Sequence, residues 1–452
     1  MACALIMQEH QLNSGEQRID ASFKSFVCKV EFIAKEALAG SEIHKVEEIE
    51  KILKNGVNEE LRRKVPLAER QEMGAFFTGK NLRKNAFHYL NEKNPVPTVL
   101  DPACGAGDLL ISYAEKLPVK KELADTIELW GEVLFAIELQ ESFLRLAKAR
   151  LVLLAYLRGA RAVENKDIKI AEIFKNFKNA NSIDLVDWPK TDHVVLNPPY
   201  IYMKSEIDCE WTTGSVSAAA VFVEHCIKKC KDASLIVGIL PDVLRTGTRY
   251  KRWRNLVERK RKINRADIYG AFDPQADVDV FILELGARES DETQGKNNDA
   301  SYWTKGTKQS HLKVSDLFSV CVGSVVPHRD EEQGPKCAYI HTRDAPPWGV
   351  ISSAPGYRNF DGTTHTAPFV IVRRTSSPSD KNRAIATLVT CGGAVAVENH
   401  LIVLKPLSKE IEGCLRLMEF LKREEVDDWL NERIRCRHLT VASVKEIPWR
   451  SN

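Results

Sequence analysis

Between residues 97 and 286 the sequence alternates between short runs of β-branched and aliphatic residues and longer stretches with helical periodicity. The short runs read TVLDPA, VLFAIEL, HVVLNPPY, SLIVGILP and DVFILELG. Buried strands that alternate with helices predict an α/β domain with a mainly parallel sheet. This alternation constrains the fold of the chain more tightly than its composition does.

The regions on either side have different patterns. Residues 1–70 carry apolar residues at three- and four-residue spacing, which predicts an N-terminal helical region. Residues 287–310 are polar and rich in Gly, Asn and Ser, which favours a linker or an exposed loop. Residues 310–452 combine short strand-like runs with one amphipathic helix and predict a smaller α+β domain. The α/β domain between these regions is assigned to residues 71–290.

The composition is that of a globular protein with more than one domain. The chain has 452 residues, of which 44% are apolar and 28% are charged, and this length favours two or three domains. Its eleven cysteines are scattered and form no C-x-x-C pair, so reduced thiols are expected. No apolar run is long enough to span a membrane, and the N-terminus has no signal-peptide pattern. We therefore expect a cytoplasmic protein without membrane contact.

Positive charge is concentrated in one segment although the net charge is only +3. Residues 245–265 contain ten Lys or Arg and the single acid Glu258, with Tyr250 and Trp253 among them. A basic surface with interleaved aromatic residues attracts a nucleic-acid backbone. A solvated amphipathic helix is the alternative interpretation of the same segment.

A glycine loop follows the first predicted strand. In TVLDPACGAGDLL, Asp101 ends the strand, and Gly105 and Gly107 precede a helix. Such glycines permit a tight turn and bring backbone N–H groups close to a ligand. Glu138 ends the next strand and is a candidate acceptor for the hydroxyls of a ribose, although a lone acid at this position is also compatible with an ordinary surface residue.

The segment NANSIDLVDWP precedes the strand that leads to Asn197. Asn181 and Asp184 in this segment have side chains that can hydrogen-bond an adenine edge. A turn in which these residues bond the local backbone is the alternative.

The tetrapeptide Asn197, Pro198, Pro199 and Tyr200 ends that strand in a stiff, extended turn, because proline lacks a backbone N–H. The Asn197 side-chain oxygen and the Pro198 carbonyl are two acceptors that can converge on one amino group. Two such hydrogen bonds would aim the nitrogen lone pair and make an exocyclic amine a usable nucleophile. Tyr200 is placed to stack on the attached ring. No hydrolase elbow, metalloprotease motif or Walker loop competes with this chemistry, and no metal site is predicted.

These motifs resemble the amino-methyltransferases that modify adenine in DNA. GAFFTGKNLRKNAF at 74–87 is similar to the family's N-terminal cofactor motif, DPACGAG to its glycine loop, and NPPY to its catalytic tetrapeptide. The order of the motifs, with a further domain after the catalytic half, is that of the gamma subclass, which includes the Taq-type enzymes. Asn181 stands where an Asp is commoner in that subclass.

The resemblance implies a fold and residue roles. The fold is a Rossmann-like methyltransferase domain with a mainly parallel seven-stranded sheet, an N-terminal helical region and a C-terminal α+β target-recognition domain. The implied catalytic residues are Asn197, Pro198, Pro199 and Tyr200. The implied cofactor-binding residues are Phe77, Thr78, Asp101, Ala103, Gly105, Gly107, Glu138, Asn181 and Ser182. The implied substrate-binding residues are Tyr200, Phe272, Arg249, Lys251, Arg252, Arg373 and Arg374.

The function implied is site-specific methyl transfer from S-adenosylmethionine to the N6 amine of adenine in double-stranded DNA, with the base swung out of the duplex. A prokaryotic restriction-modification or related defence system, with a restriction or defence-system partner protein, is the expected setting. Three alternatives remain open: a cytosine-amine methyltransferase, a protein glutamine methyltransferase, and a DNA-binding modification subunit that depends on a partner.

Overall fold

The computed structural model describes residues 23–41, 46–74, 78–87, 96–162, 174–205, 209–273, 278–288, 302–304, 312–435 and 437–449. The chain divides into two compact units. Unit 1 comprises Met1–Arg245 and Tyr250–Gly295, and unit 2 comprises Thr246–Arg249 and Lys296–Asn452. Most of the predicted linker at 287–310 lies outside the described residues.

Unit 1 begins with short helices whose apolar residues recur at helical spacing. These are α1 at 23–38, α2 (Val46–Lys51), α3 (Val57–Lys64), α4 (Leu67–Met73) and α5 (Lys80–Ala86). A π-helical turn, Ile52–Gly56, joins α2 to α3. The buried side chains of α1 to α3 belong to the same hydrophobic cluster as those of the central sheet, so these helices contribute to the core of unit 1.

A seven-stranded sheet forms the centre of unit 1. Its strands are β1 (Val99–Asp101), β2 (Leu134–Glu138), β3 (Phe177–Asn179), β4 (His193–Leu196), β7 (Leu235–Pro241), β8 (Lys262–Ala271) and β9 (Asp279–Gly286), while β5 (Tyr202–Lys204) and β6 (Ser215–Ser217) form a separate hairpin. The order across the sheet is β3-β2-β1-β4-β7-β9-β8. The first four neighbouring pairs are parallel, and β9 is antiparallel to both β7 and β8. The sheet is therefore mixed, and the expected seven strands are confirmed.

Further helices of unit 1 connect these strands. They are α6 (Asp108–Ala114), α7 (Leu123–Val133), α8 (Glu141–Leu157), α9 (Ala218–Lys229), α10 (Val243–Thr246) and α11 (Lys251–Lys260). The helices α6, α7 and α8 bury their apolar residues in one cluster with the sheet, including the fully buried Trp130. Within the described ranges no helix has the length and apolarity needed to cross a membrane.

Unit 2 contains two sheets and several helices. Its strands are β10 (Phe318–Val322), β11 (Lys336–Ile340), β12 (Val350–Ile351), β13 (Gly356–Asn359), β14 (Phe369–Arg373), β15 (Ala386–Val389), β16 (Val395–Val397) and β17 (Leu401–Pro406). Its helices are α12 (Val314–Leu317), α13 (Ile411–Leu421), α14 (Glu424–Arg433) and α15 (Val441–Lys445). The sheets have the orders β10-β17-β14-β15-β12 and β13-β11-β16. The helices pack with the five-stranded sheet in one hydrophobic cluster.

Candidate active site

Three predicted site residues lie at the ends of neighbouring strands. Asp101 ends β1, Glu138 ends β2, and Asn197 follows β4 directly. The strands β2, β1 and β4 are adjacent and parallel, so their carboxyl ends share one edge of the sheet. Ligands of open α/β sheets bind at this edge. The fold therefore brings the glycine loop, the acid and the NPPY tetrapeptide to one region.

The carboxyl groups at this edge organise the glycine loop. The Gly105 N–H donates to Glu138 Oε2 over 2.8 Å, and the Gln140 N–H donates to Oε1 over 2.9 Å. The Ala103 N–H donates to Asp101 Oδ1 over 3.1 Å. A carboxylate has about four acceptor positions on its two oxygens. The two acids thus hold the loop and can still accept hydrogen bonds from a ligand.

Gly107, at the end of the glycine loop, lies in a position that has no room for a side chain. Its φ is +82°, in the left-handed region, and it precedes the first residue of α6. A Cβ built on it would lie 2.9 Å from the Cβ of Ala147 in α8. The end of the glycine loop is therefore fixed by close packing between its backbone and α8.

A buried charge cluster lies behind the loop. Asp108, the first residue of α6, accepts from Arg83 Nη1 at 3.1 Å and from Arg150 Nη2 at 2.9 Å, and all three side chains are buried. Arg150 also donates through Nη1 to the Ala106 carbonyl over 2.6 Å. Buried charges persist when they are paired and hydrogen-bonded. We assign this cluster to the support of the glycine loop, and the sequence motifs alone did not point to it.

Burial shifts the ionisation of the two strand-end acids. It raises the pKa of Asp101 from the usual 3.8 to about 8, despite the lowering effect of the Ala103 N–H. Burial also raises the pKa of Glu138, against the lowering effect of the backbone hydrogen bonds that it accepts. Strongly perturbed carboxyl groups in a cleft are frequent in functional sites. Hydroxyl donors and a positively charged group are the ligand chemistry that would suit this pair.

The catalytic candidate Asn197 is hydrogen-bonded on both sides of its amide. Its Nδ2 donates to Thr78 Oγ1 over 2.8 Å, and its Oδ1 accepts from the Tyr200 hydroxyl over 2.7 Å. Thr78 is buried, while Asn197 and Tyr200 are half-buried. The structure thus brings the predicted cofactor residue Thr78 into direct contact with the predicted catalytic amide.

Tyr200 and Phe272 lie side by side. Their ring centroids are 5.3 Å apart at an interplanar angle of 72°, which is an edge-to-face contact. Pro198 between Asn197 and Tyr200 is buried and Pro199 is half-buried. Two of the aromatic groups assigned to the flipped base are therefore neighbours, while Phe77 of the cofactor motif lies outside the described residues.

Asn181 takes part in a local turn. Its Nδ2 donates to Asp184 Oδ2 over 2.7 Å, and its Oδ1 accepts from the Ile183 N–H over 3.2 Å. This is the turn that the sequence left open as an alternative. The neighbouring Ser182 is buried, and its carbonyl accepts from Trp188 Nε1 over 2.9 Å. Contact between Asn181 and an adenine stays a prediction.

The basic segment 245–265 divides into structural and exposed members. The Arg261 guanidinium is buried and donates to the carbonyls of Cys230 and Ala233, and the buried Arg245 pairs with Asp242 at 2.7 Å. The exposed members predicted to contact DNA are Arg249, Lys251 and Arg252. The helix α11 therefore buries Trp253 and presents a basic face, which fits both interpretations of the segment.

Arg373 and Arg374 in unit 2 are half-buried and bonded within that unit. Arg373 Nη2 donates to the Ala345 carbonyl over 2.6 Å, and Arg374 Nη1 donates to the Asn399 carbonyl over 2.9 Å. Part of each guanidinium group thus supports the backbone of unit 2. Their contact with DNA stays a prediction.

One further candidate residue lies outside the sequence motifs. Leu139 follows Glu138 directly and is 49% exposed although it is a large apolar residue. An exposed aliphatic side chain beside an acid at a ligand-binding edge is suited to packing on a flat ring. The only sequence signal for it is its position one residue after the strand-end acid.

One family model matches the part of the chain that contains the candidate site. Residues 55–264 match the family model described as N-6 DNA Methylase. No curated protein matches the chain. The matched range includes Thr78, the glycine loop, Glu138 and the NPPY tetrapeptide.

Solved structures add a likeness of fold. The DNA complex of the Type IIL restriction-modification enzyme MmeI is similar over 85% of this chain and 69% of that one, at 13% identity and a TM-score of 0.56. Lower TM-scores, 0.40 and 0.34, are found for two further proteins. One is a candidate class I S-adenosylmethionine-dependent methyltransferase from Listeria monocytogenes (15% identity, 63% of this chain and 91% of that one), and the other is a type I restriction-modification methyltransferase subunit from Streptococcus thermophilus (20% identity, 48% and 45%).

The fold is therefore an α/β methyltransferase fold with a mixed seven-stranded sheet. The family match covers the edge of the sheet at which the motif residues converge. The match over residues 55–264, which are 210 of the 452 residues, supports an adenine-specific DNA methyltransferase activity for this chain.

Proposed function

We propose that this protein transfers a methyl group from S-adenosylmethionine to the exocyclic N6 amine of adenine in double-stranded DNA. The observation that carries the proposal is the convergence of the glycine loop, Glu138 and Asn197 at the carboxyl edge of three adjacent strands. The motif order, with Thr78 ahead of the glycine loop, supports placement in the gamma, Taq-type subclass.

The residues at this edge fit the proposed cofactor. Glu138 would accept the ribose hydroxyls, since the backbone N–H groups of Gly105 and Gln140 leave its carboxylate with acceptor capacity. The loop N–H groups and the hydroxyl of Thr78 would face its polar groups. The cofactor supplies a methyl group on a positively charged sulfur. The two acids with raised pKa values, Asp101 and Glu138, would gain from that positive charge nearby.

The chain's own groups would then prepare the amine. A base swung from the duplex would lie against the Tyr200 and Phe272 rings, at a cost of a few kcal/mol for unstacking. The Asn197 Oδ1 and the Pro198 carbonyl would each accept one amine hydrogen, which aims the nitrogen lone pair at the methyl group. After transfer the amine nitrogen loses one proton to solvent.

The DNA would be held mainly by charge. The exposed Arg249, Lys251 and Arg252 would contact phosphates. Residues 310–452, which lie within unit 2, would serve as the target-recognition domain and would contact DNA through Arg373 and Arg374. We place the reaction in a prokaryotic restriction-modification or related defence system, with a partner protein of that system as a further component.

The test is incubation of the purified chain with labelled S-adenosylmethionine and unmethylated DNA, followed by nucleoside mass spectrometry and modification-sensitive sequencing. We expect methylated adenine in one sequence context. Asn197→Ala should abolish transfer while cofactor affinity, measured by calorimetry, stays nearly unchanged. An Asn197→Ala variant that keeps more than about a tenth of the rate would contradict the assigned role. Methylated cytosine, or label only in protein, would contradict the proposed substrate.

A further inference from the structure

The segment that contains Gly74 and Thr78 contacts the NPPY tetrapeptide, although the two are distant in sequence. Thr78 contacts Asn197 across 119 residues of sequence, and a Cβ built on Gly74 would lie 2.7 Å from the Cβ of Pro199. Gly74 and Thr78 thus lie against the tetrapeptide at two points. The orientation of Asn197 is therefore set by tertiary contacts as well as by the two prolines.

Two hydrogen bonds orient the Asn197 amide. The Thr78 oxygen accepts from Nδ2, and the Tyr200 hydroxyl donates to Oδ1. A flipped amide would require Thr78 to donate to Oδ1 and Tyr200 to accept from Nδ2 while it donates only to the more distant Ile239 carbonyl, so the observed contacts favour Oδ1 on the Tyr200 side. A hydroxyl that accepts keeps its own proton for donation, so Thr78 can bond a second group at the same time.

The Tyr200 hydroxyl lies between two acceptors. Asn197 Oδ1 is 2.7 Å away and the Ile239 carbonyl oxygen is 3.1 Å away. Burial raises the pKa of Tyr200 well above its usual range, so the hydroxyl remains a proton donor. A phenol has one proton, so it can move its bond from Asn197 to Ile239 without leaving a donor unpaired.

We propose that Thr78 is a positioning residue that fixes the Asn197 amide, and that the Tyr200 hydroxyl occupies the Asn197 acceptor until the substrate amine replaces it. This inference rests on the proposed function. On arrival of the base, the amine takes the Asn197 bond and the Tyr200 hydroxyl turns to the Ile239 carbonyl. The exchange keeps the Asn197 acceptor and the Tyr200 donor bonded before and after the base enters.

The first arm of the test uses Thr78→Val and Thr78→Ser. At saturating cofactor and DNA, Thr78→Val should lower kcat by about 10- to 100-fold, because the amide loses the hydrogen bond that orients it. Thr78→Ser should restore kcat, since it keeps the hydroxyl. A role confined to cofactor binding would instead raise the cofactor Kd and leave kcat at saturation unchanged, and that result would overturn the inference.

Thr98→Val is the matched control for this arm. Thr98 Oγ1 bonds the Asp192 carboxylate over 2.8 Å, next to the amino end of β1, which is the opposite end from the site. The variant loses both hydrogen bonds of the Thr98 hydroxyl to Asp192, one donated and one accepted, and should keep kcat. A fall of kcat in Thr98→Val equal to that in Thr78→Val would show that general destabilisation causes the effect and would overturn the inference.

The second arm uses Tyr200→Phe, which keeps the ring and removes the hydroxyl. With 2-aminopurine in place of the adenine that the wild type methylates, the fluorescence that reports an unstacked base should rise at equal occupancy, because nothing competes for the Asn197 acceptor. A lower signal would mean that the hydroxyl holds the base, and would overturn the inference. Tyr302→Phe, at a residue that is 59% exposed and lies outside the proposed target-recognition domain, is the control. A wild type without methyl transfer would contradict the proposed function and with it this inference.

Discussion

At the scale of single residues, the candidate site contains a buried acid. Asp101 is 1% exposed, and burial raises its pKa to about 8. A folded-state pKa above the unfolded value means that the folded chain keeps a proton that the unfolded chain releases. Such a residue lowers stability at neutral pH.

Asp101→Asn should therefore make stability less dependent on pH. Between about pH 4 and pH 8 the wild type loses free energy of unfolding as pH rises, because only the unfolded state ionises fully. The variant lacks this loss, so its free energy of unfolding should exceed that of the wild type by a difference that grows from pH 5 to pH 8. Urea denaturation without cofactor at pH 5, 6.5 and 8 measures it.

Asp192→Asn is the control with the opposite sign. Hydrogen bonds from Thr98 lower the pKa of Asp192, so its contribution to stability is present at neutral pH and is lost as pH falls. This variant should be less stable than the wild type at neutral pH. If the stability gained by Asp101→Asn became smaller with rising pH, the raised pKa of Asp101 would be contradicted.

Glu138→Ala should weaken cofactor binding by about 1.5–3 kcal/mol, through loss of charge-assisted hydrogen bonds. Because Glu138 also accepts from Gly105, part of the loss reflects a less ordered loop. Glu138→Gln keeps an acceptor for one N–H and should lie between the wild type and the Ala variant. Calorimetric titration with S-adenosylmethionine measures all three, and equal affinities would remove Glu138 from the cofactor site.

At the scale of secondary-structure elements, the glycine loop is fixed by the helices around it. The loop packs on α8 at Gly107, and α8 supplies Arg150 to the Ala106 carbonyl. Asp108 at the start of α6 pairs with that same arginine. The loop geometry is thus set by α6 and α8 as much as by its own glycines.

Gly107→Ala should destabilise the fold by more than backbone strain alone. The left-handed φ costs about 1–2 kcal/mol for a residue with a Cβ, and the contact at 2.9 Å with Ala147 adds an overpacking cost of roughly 1–3 kcal/mol. Gly159→Ala, also at positive φ but with no neighbouring atom within 4 Å, carries only the strain. Urea denaturation compares the two, and equal losses would refute the packing argument.

The motifs predicted the strand ends well but not their surroundings. Asp101, Glu138 and Asn197 are predictable because each lies at the end of an apolar run, and adjacent parallel strands place such ends together. Arg83 bonds Asp108 across 25 residues of sequence, and Thr78 bonds Asn197 across 119 residues. Pairs so far apart in sequence leave no local pattern. Asn181 shows why side-chain chemistry alone does not predict a ligand contact. Its amide could hydrogen-bond an adenine edge, but in the structure it bonds Asp184 and the Ile183 N–H in a local turn.

At the scale of the whole molecule, charge is unevenly distributed. The net charge is +3, yet α11 exposes a basic face beside its buried Trp253. A protein that neutralises phosphates releases counterions, so its affinity falls with salt in proportion to the number of phosphates neutralised. A nearly neutral chain can therefore bind DNA in a strongly salt-dependent way.

The double variant Lys251→Ala, Arg252→Ala should weaken DNA binding across sequences and reduce the slope of log K against log salt by about 1 for each phosphate that is no longer neutralised. Fluorescence anisotropy over a range of roughly 50 to 200 mM salt measures the slope. Lys24→Ala, Lys35→Ala, at two exposed lysines of α1, is the matched control with the same change in charge. If the two double variants had equal slopes, the interpretation of α11 as a solvated helix without phosphate contacts would be correct.

Arg150 reaches beyond the loop. Its Nη2 also lies 3.3 Å from the Leu53 carbonyl, in the π-helical turn between α2 and α3. The family match begins at residue 55, two residues after that carbonyl. A chain shortened to the matched range would remove an acceptor from a guanidinium that is 1% exposed. The folded unit that carries the site therefore extends upstream of residue 55, and side chains of α1 and α2 belong to its hydrophobic core.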